Sequence, residues 1–216
     1  QFGDCTMFSF HSTKLFHAVE GGALATNDAN LAKQFEVLLN FGIVDEETIM
    51  EGGTNAKMSE FHAAMGLYNV PYVDEWISQR KQLYDRYVEQ LNGVDGITIP
   101  HLQDGVTPNY SYFPIFLDMD RDGLIAHLKD NRIMARKYFY PLTSQIVNVG
   151  DDGTKNCLVE NYVTPVAALV AEHVLCLPLY ADLTTQQVDR ICACIQHYVQ
   201  MTATLKIGEV ATDIVI

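Results

Sequence analysis

Lys14 closes the run Ser9-Phe10-His11-Ser12-Thr13-Lys14, and Glu20-Gly21-Gly22 begins six residues later. A primary amine just past a short apolar run (Cys5 to Phe10), with hydroxyls on either side, can be held away from bulk water. Desolvation lowers the pKa of an ammonium group and frees its lone pair to attack a carbonyl. Such an amine beside a hydroxyl-lined phosphate site suits Schiff-base chemistry with pyridoxal phosphate. A lysine taken at random is a solvated surface cation. What distinguishes Lys14 is the company it keeps along the rest of the chain.

The elements that must position it can be read from hydropathy and turn residues. Residues 5–10 read as a buried strand, and Gly22–Thr26 as a second one after a glycine turn. Asp28 is placed to cap a helix over 29–39, in which Leu31, Phe35, Leu38 and Leu39 share a face. The glycine- and acid-rich stretch 40–54 reads as a loop long enough to suspect function. Ser59 opens a short helix, and Pro71 a longer one that closes at Asn92-Gly93. Beyond it come strands at 97–99 and 110–117, a helix over 122–129 and an extended segment over 133–138. An exposed acidic loop is expected over 150–156, a helix over 164–173 and a strand over 174–177. Thr184-x-x-Gln187 is a capping box for a final helix.

The chain has 216 residues, with 14 Lys+Arg against 27 Asp+Glu and a net charge of −13. Nucleic acid and anionic membrane surfaces need basic patches, so neither is the expected partner. Small anions remain accessible through a few cations and backbone amides. The five cysteines (Cys5, Cys157, Cys176, Cys192, Cys194) are odd in number and lack a C-x-x-C pair, which favours a reducing, cytoplasmic setting over a disulfide framework. The apolar stretch from Val163 to Leu179 is broken by Pro165, Glu172, His173 and Pro178 and is too interrupted to span a bilayer. The chain opens on Gln1 directly into a strand-like run, with no signal peptide, as a chain lacking an upstream portion would.

Three patches occur in order. The first is Ser9-Phe10-His11-Ser12-Thr13-Lys14 with Glu20-Gly21-Gly22. The second is Gly53-Thr54-Asn55-Ala56-Lys57-Met58-Ser59-Glu60-Phe61-His62-Ala63-Ala64-Met65-Gly66-Leu67. The third is Tyr138-Phe139-Tyr140-Pro141-Leu142, with Cys176-Leu177-Pro178-Leu179 further on. Together they resemble the pyridoxal-phosphate sugar aminotransferases of the DegT/DnrJ/EryC1/StrS family, from Cys5 to about Val199.

The resemblance implies an α/β plus α+β chain, the C-terminal portion of a fold-type I pyridoxal-phosphate transferase. Residues 1–80 would belong to the large cofactor-binding domain, 81–205 to a small C-terminal α+β domain and 206–216 to a tail. It implies that Lys14 carries the cofactor and shuttles protons, and that Ser9 contacts its phosphate. By the same resemblance Asn55 and Lys57 reach the phosphate held by the neighbouring subunit of a homodimer with shared active sites. Read without the family, Asn55 is a left-handed turn residue after Gly52-Gly53. Tyr138 and Tyr140 fall where the family lines its substrate pocket, although Thr143 stands where the family usually has histidine. His17, close to Lys14, is grouped with these substrate residues, and simple packing is its competing reading. Tyr110 and Tyr112 could also face the nucleotide sugar, but as strand residues they read as core or interface packing. Relatives that dehydrate sugars carry histidine at the lysine position, so Lys14 favours amination.

The activity implied is transfer of an amino group, with glutamate as the expected donor, to a keto sugar on a nucleotide, in polysaccharide precursor synthesis. The alternative is a truncated, non-catalytic relative serving as a dimerisation or binding module. The family's upstream half carries the acid that pairs with the pyridine nitrogen, a ring-stacking residue and a phosphate turn, and none of these can be assigned within 1–216. Other motifs have ordinary readings. Asp118-x-Asp120-x-Asp122-Gly123 mimics the start of a calcium loop but meets Lys129 at its twelfth position, so it reads as a turn into a helix. The seven histidines show no zinc spacing, and no metal is expected.

Overall fold

The computed structural model describes residues 3–151, 153–157 and 163–212. The chain divides into two compact units, Gln1–Ile77 and Ser78–Ile216.

The first unit opens on an antiparallel hairpin. Strand β1 (Thr6–Ser9) pairs with β2 (Gly22–Ala25) in the register Ser9 opposite Gly22. All eight residues are exposed in this chain, Met7 at 71% and Leu24 at 44%. The expected buried strand is therefore corrected. An apolar run predicts cover on both faces, whereas β1 has β2 as its strand neighbour and open faces. Helix α1 (Ala29–Leu39) begins where expected, with the Asp28 carboxylate accepting from the amides of Asn30 and Leu31. Ser59 likewise caps α2 (Glu60–Asn69) by accepting from the His62 amide. Pro71 does not start the long helix. It lies in a 3-10 turn (Val70–Tyr72), and α3 (Val73–Leu91) follows, because a proline ring fits a first turn but leaves it without one amide donor.

The second unit holds the main core. Strands β3 (Ile97–Thr98), β4 (Phe113–Leu117) and β7 (Val174–Leu177) form an antiparallel sheet in that order. Phe113, Ile115 and Leu117 alternate inward along β4, while all of β7 is buried. Leu83, Tyr87 and Leu91 of α3 pack in the same cluster, with Leu124 and Leu128 of α4 (Arg121–Asp130). Val188, Ile191, Cys192 and Ile195 of α6 (Thr185–Thr212) complete it. Phe113 is its aromatic centre, stacked on Tyr87 at 4.6 Å and edge-on to Tyr84 at 4.8 Å.

Asp120 caps α4, accepting from Asp122 and Gly123, so the calcium-like run is the expected turn into a helix. The box at Thr184 and Gln187 forms as read, with the Gln187 side chain accepting from the Thr184 amide and Thr184 from the Gln187 amide. α5 (Pro165–His173) runs directly into β7.

Three expectations change here. β4 starts at Phe113 rather than at residue 110, because Tyr110 takes a left-handed φ of 51° and packs its ring on Tyr84 at 5.2 Å. The extended segment 133–138 is tied to the sheet by one isolated bridge, Arg136 to Cys176. Part of the expected acidic loop belongs to a hairpin, β5 (Val147–Val149) with β6 (Lys155–Cys157). Among the described residues no helix is long and apolar enough to cross a membrane, no group of three metal-ligating side chains occurs, and Cys5, Cys176, Cys192 and Cys194 are free thiols. α6 continues to Thr212, and the last four residues of the expected tail lie outside the described residues.

Candidate active site

The loop between β1 and β2 carries Lys14, and backbone hydrogen bonds pin it at both ends. Phe10 donates to the Gly21 carbonyl at 2.9 Å, Ser12 to Val19 at 2.8 Å and Ala18 to Phe10 at 2.8 Å. Within it, the Lys14 amide donates to the His11 carbonyl at 2.9 Å, closing a tight turn with Ser12 and Thr13 at its tip and the lysine as its last residue. Lys14 is half-buried, and the hydroxyl residues Ser9, Ser12 and Thr13 are exposed beside it. Ser9 ends β1, and its Oγ accepts from the His11 amide at 3.5 Å. The His11 imidazole lies 2.8 Å from the Thr13 hydroxyl and 3.8 Å from a Glu20 carboxylate oxygen.

Helix α2 and the segment before it close on this loop. Gly21 takes φ +146°, and a Cβ there would stand 2.7 Å from Met58 Cε. The second glycine-rich patch therefore packs on the first at a position that only glycine satisfies. Gly66 faces Ala18, which is buried, with a Cβ-to-Cβ separation of 3.6 Å for a residue placed there. Asn69, the buried polar side chain at the end of α2, donates to the His17 carbonyl at 2.9 Å. The His17 ring accepts from the Val19 amide at 3.4 Å, a contact that belongs to loop packing.

Asn55 and Lys57 belong to the same unit. Asn55 pairs by backbone with Asn40. The Lys57 ammonium donates to Asn40 Oδ1 at 3.4 Å and sits 4.0 Å from the centre of the Phe41 ring. The loop that carries them is ordered by close backbone approach. Phe41 donates to Thr54 and Met50 to Gly42, and a Cβ on Gly53 would fall 2.1 Å from the Gly42 nitrogen.

Tyr138 and Tyr140 belong to the second unit. Tyr138 stacks on Phe139 with centroids 4.6 Å apart and planes 8° apart, and Tyr112 presents its edge to both. Arg136 donates to the Tyr138 hydroxyl and lies over its ring. Tyr140 is exposed, with Arg121 and Lys137 over its ring at 5.1 and 5.6 Å. Thr143, at the position where histidine was expected, begins a 3-10 turn.

Sequence reasoning missed Met58, Asn69 and Arg136. Of these, Met58 had a signal, since Gly21-Gly22 demands a close neighbour. Asn69 and Arg136 act through partners 52 and 40 residues away (His17 and Cys176), which no local pattern discloses.

A half-buried lysine at the end of a pinned turn, on a segment that also carries Ser9, Ser12 and Thr13, is a donor set that fits a phosphorylated aldehyde such as pyridoxal phosphate. The amine can form an imine, and the hydroxyls can donate to a dianion.

The model of the DegT/DnrJ/EryC1/StrS aminotransferase family matches residues 1–196. A dTDP-4-amino-4,6-dideoxy-D-glucose transaminase of Shigella dysenteriae is 36% identical over 202 residues, covering 90% of this chain and 53% of that protein. An Escherichia coli enzyme of the same name is 43% identical over 176 residues, covering 80% and 46%. The crystal structure of DesI with its TDP-sugar product superimposes on 97% of this chain and 53% of its own, with a TM-score of 0.84 and 28% identity. The chain thus spans about half the length of the relatives it matches. The α/β plus α+β architecture expected from the sequence is the one these comparisons return.

Proposed function

This chain belongs to the DegT/DnrJ/EryC1/StrS aminotransferase family, and from that premise we propose that the protein it forms transfers an amino group to a keto sugar carried on a nucleotide, with pyridoxal phosphate as cofactor. The observation that carries the reading is the docking of the two glycine-rich patches around the Lys14 turn, through Gly21 against Met58 and Asn69 against His17. Pyridoxal phosphate, when bound, supplies an electrophilic aldehyde and an electron sink.

The chain's own residues supply the rest. The Lys14 amine is the nucleophile that holds the cofactor, and once displaced it can take up and return a proton at Nζ. The Ser9 hydroxyl is a donor for the phosphate. Asn55 and Lys57 supply an amide and a cation for the phosphate of a second subunit. Tyr138 and Tyr140 line the sugar side, and His17 buttresses the lysine loop. Glutamate as donor, a homodimer with shared sites, a role in polysaccharide precursors and a cytoplasmic location are parts of the same proposal. So is the division into a cofactor domain over 1–80 and a small domain over 81–205. The relatives' names as dTDP-sugar transaminases support the substrate class.

The test is spectroscopic. The protein mixed with pyridoxal phosphate is expected to show the cofactor's absorbance at the visible edge. Borohydride treatment should fix the cofactor mass on the peptide bearing Lys14, and Lys14→Ala should lose both signals. Retention of both in the variant refutes the assignment. Failure of the unaltered chain to take up cofactor supports the binding-module alternative instead.

A further inference from the structure

We propose that Asn92 is a site of spontaneous covalent modification, its carboxamide closing on the Gly93 amide to a succinimide that opens to isoaspartate or aspartate and loosens the join between α3 and β3. This chemistry needs neither cofactor nor substrate and stands apart from the transaminase reading.

Asn92-Gly93 is the sole Asn-Gly pair in the chain. A glycine on the C-terminal side leaves the attacking nitrogen unshielded, because no Cβ stands beside it. Both reacting groups are also free. Asn92 is exposed, and among the described residues its carboxamide makes no hydrogen bond. The Asn92 backbone amide donates to the Val88 carbonyl at 3.0 Å, whereas the Gly93 amide has no backbone acceptor among the described residues. Gly93 takes φ +79°, and a Cβ built there would meet nothing within 4 Å, so the peptide between the two residues has room to turn toward the side chain.

Other asparagines are placed differently. Asn131 donates from its carboxamide to the His127 carbonyl and Asn69 to the His17 carbonyl, each at 2.9 Å, and each precedes a residue with a side chain. Asn40 accepts from Lys57, and Asn109 from the Ser111 amide. The nearby Asp95-Gly96 pair can pass through the same ring without releasing ammonia. Gly96 is more confined, since a Cβ there would stand 2.5 Å from Met119 Cε.

The steps balance without an oxidant or reductant. Hydroxide removes the Gly93 amide proton, the nitrogen bonds to Asn92 Cγ, and the side-chain nitrogen leaves as ammonia with a proton from water, which restores hydroxide. Water then adds to one of the two ring carbonyls and breaks its bond to nitrogen. Opening at Cγ leaves aspartate. Opening at the main-chain carbonyl leaves isoaspartate, in which the chain runs through Cβ. One water is consumed and one ammonia released.

The location turns this change into a structural one. Residues 92–96 join α3 to β3 between two core residues, Leu91 and Ile97, the second paired with Leu117 on β4. Isoaspartate lengthens that join by one main-chain atom. Either product sets a carboxylate at the C-terminal end of α3, where the helix dipole is negative, and the last turn holds no basic residue to offset it. The exposed Asp95 carboxylate lies three residues further on.

The experiment is incubation of the purified protein in warm, mildly alkaline buffer, followed by peptide mass mapping and thermal melting. The peptide bearing Asn92 should gain the mass of an amide turned into an acid about tenfold faster than the peptide bearing Asn131, since only Asn92 joins a free carboxamide to a following glycine. Fragmentation should place the change at residue 92, and the rate should rise with pH. Asn92→Gln, which needs a larger ring, should lose the mass gain and melt as the parent does. Asn92→Asp should melt about 1–4 °C lower, the effect of a carboxylate at that helix end. Conversion at Asn92 within twofold of that at Asn131, in protein that keeps its melting transition, overturns the site. An Asn92→Asp melting temperature equal to the parent's overturns the loosening of the join.

Discussion

Replacing Gly21 by alanine probes the contact that joins the two glycine-rich patches. The variant must hold a side chain at φ +146°, a conformation that costs of order 1–3 kcal/mol for a residue with a Cβ. Its Cβ would also lie 2.7 Å from Met58 Cε, about 1 Å inside an ordinary carbon–carbon contact. A methionine end can swing away, so this second part should sit at the low end of overpacking costs, about 1 kcal/mol. The sum is about 2–4 kcal/mol. With a urea slope of about 2 kcal/mol per molar, the unfolding midpoint should fall by about 1–2 M. Trp76, the single tryptophan, lies in the same unit and stacks on Tyr72, so its fluorescence reports the transition. Combining Gly21→Ala with Met58→Ala in a double-mutant cycle should return about 0.5–1 kcal/mol of coupling, because the clash is gone while the backbone strain stays. A Gly21→Ala midpoint within 0.3 M of the parent, or a cycle with no coupling, would refute the packing described between Gly21 and Met58.

Two further outcomes can be checked directly. The Asp189 carboxyl is held below the usual carboxylate range, first by its two-pronged bond from Arg86 at 2.8 and 3.2 Å and also by Gln90. A depressed carboxylate stabilises the fold above its unfolded pKa of about 3.9 and loses that contribution as pH falls through the folded value. The melting temperature should therefore drop more steeply between pH 5 and 3 in the parent than in Asp189→Asn, and equal slopes would count against the pair. Burial pushes the Cys176 thiol up to about 11 and Cys192 to about 12, whereas Cys5 is exposed. Iodoacetamide at pH 8 should accordingly label Cys5 well before either buried thiol, as read by peptide mass. Labelling of Cys192 at the rate of Cys5 would contradict the described core.

What the sequence disclosed was mostly local chemistry. Asp28, Ser59 and the Thr184–Gln187 box mark helix starts because one side-chain oxygen serves amides two or three residues on, a relation visible within a single turn. Lys14 and the glycine pair stood out for the same reason. The burial of β1 was misread because Met7 and Phe8 look like core residues, and the number of faces a strand has covered is a property of its neighbours rather than of its own letters. The hairpin of β5 and β6 was hidden by the acids at its turn, although Val147-Asn148-Val149 alternates as a strand should. The placement of Arg136 was invisible, since it is set by Cys176 on a strand 40 residues later.

The bridge between Arg136 and Cys176 is made by main-chain atoms alone, amide to carbonyl in both directions. Peptide groups are the same whatever side chains they bear, so this clasp survives replacement of nearly any residue from 136 to 140, short of a proline at 136. A lineage could thus exchange the chemistry displayed there without renegotiating the scaffold beneath. Such an arrangement suits a family whose members would need to diversify in the ligands they accept while keeping one fold.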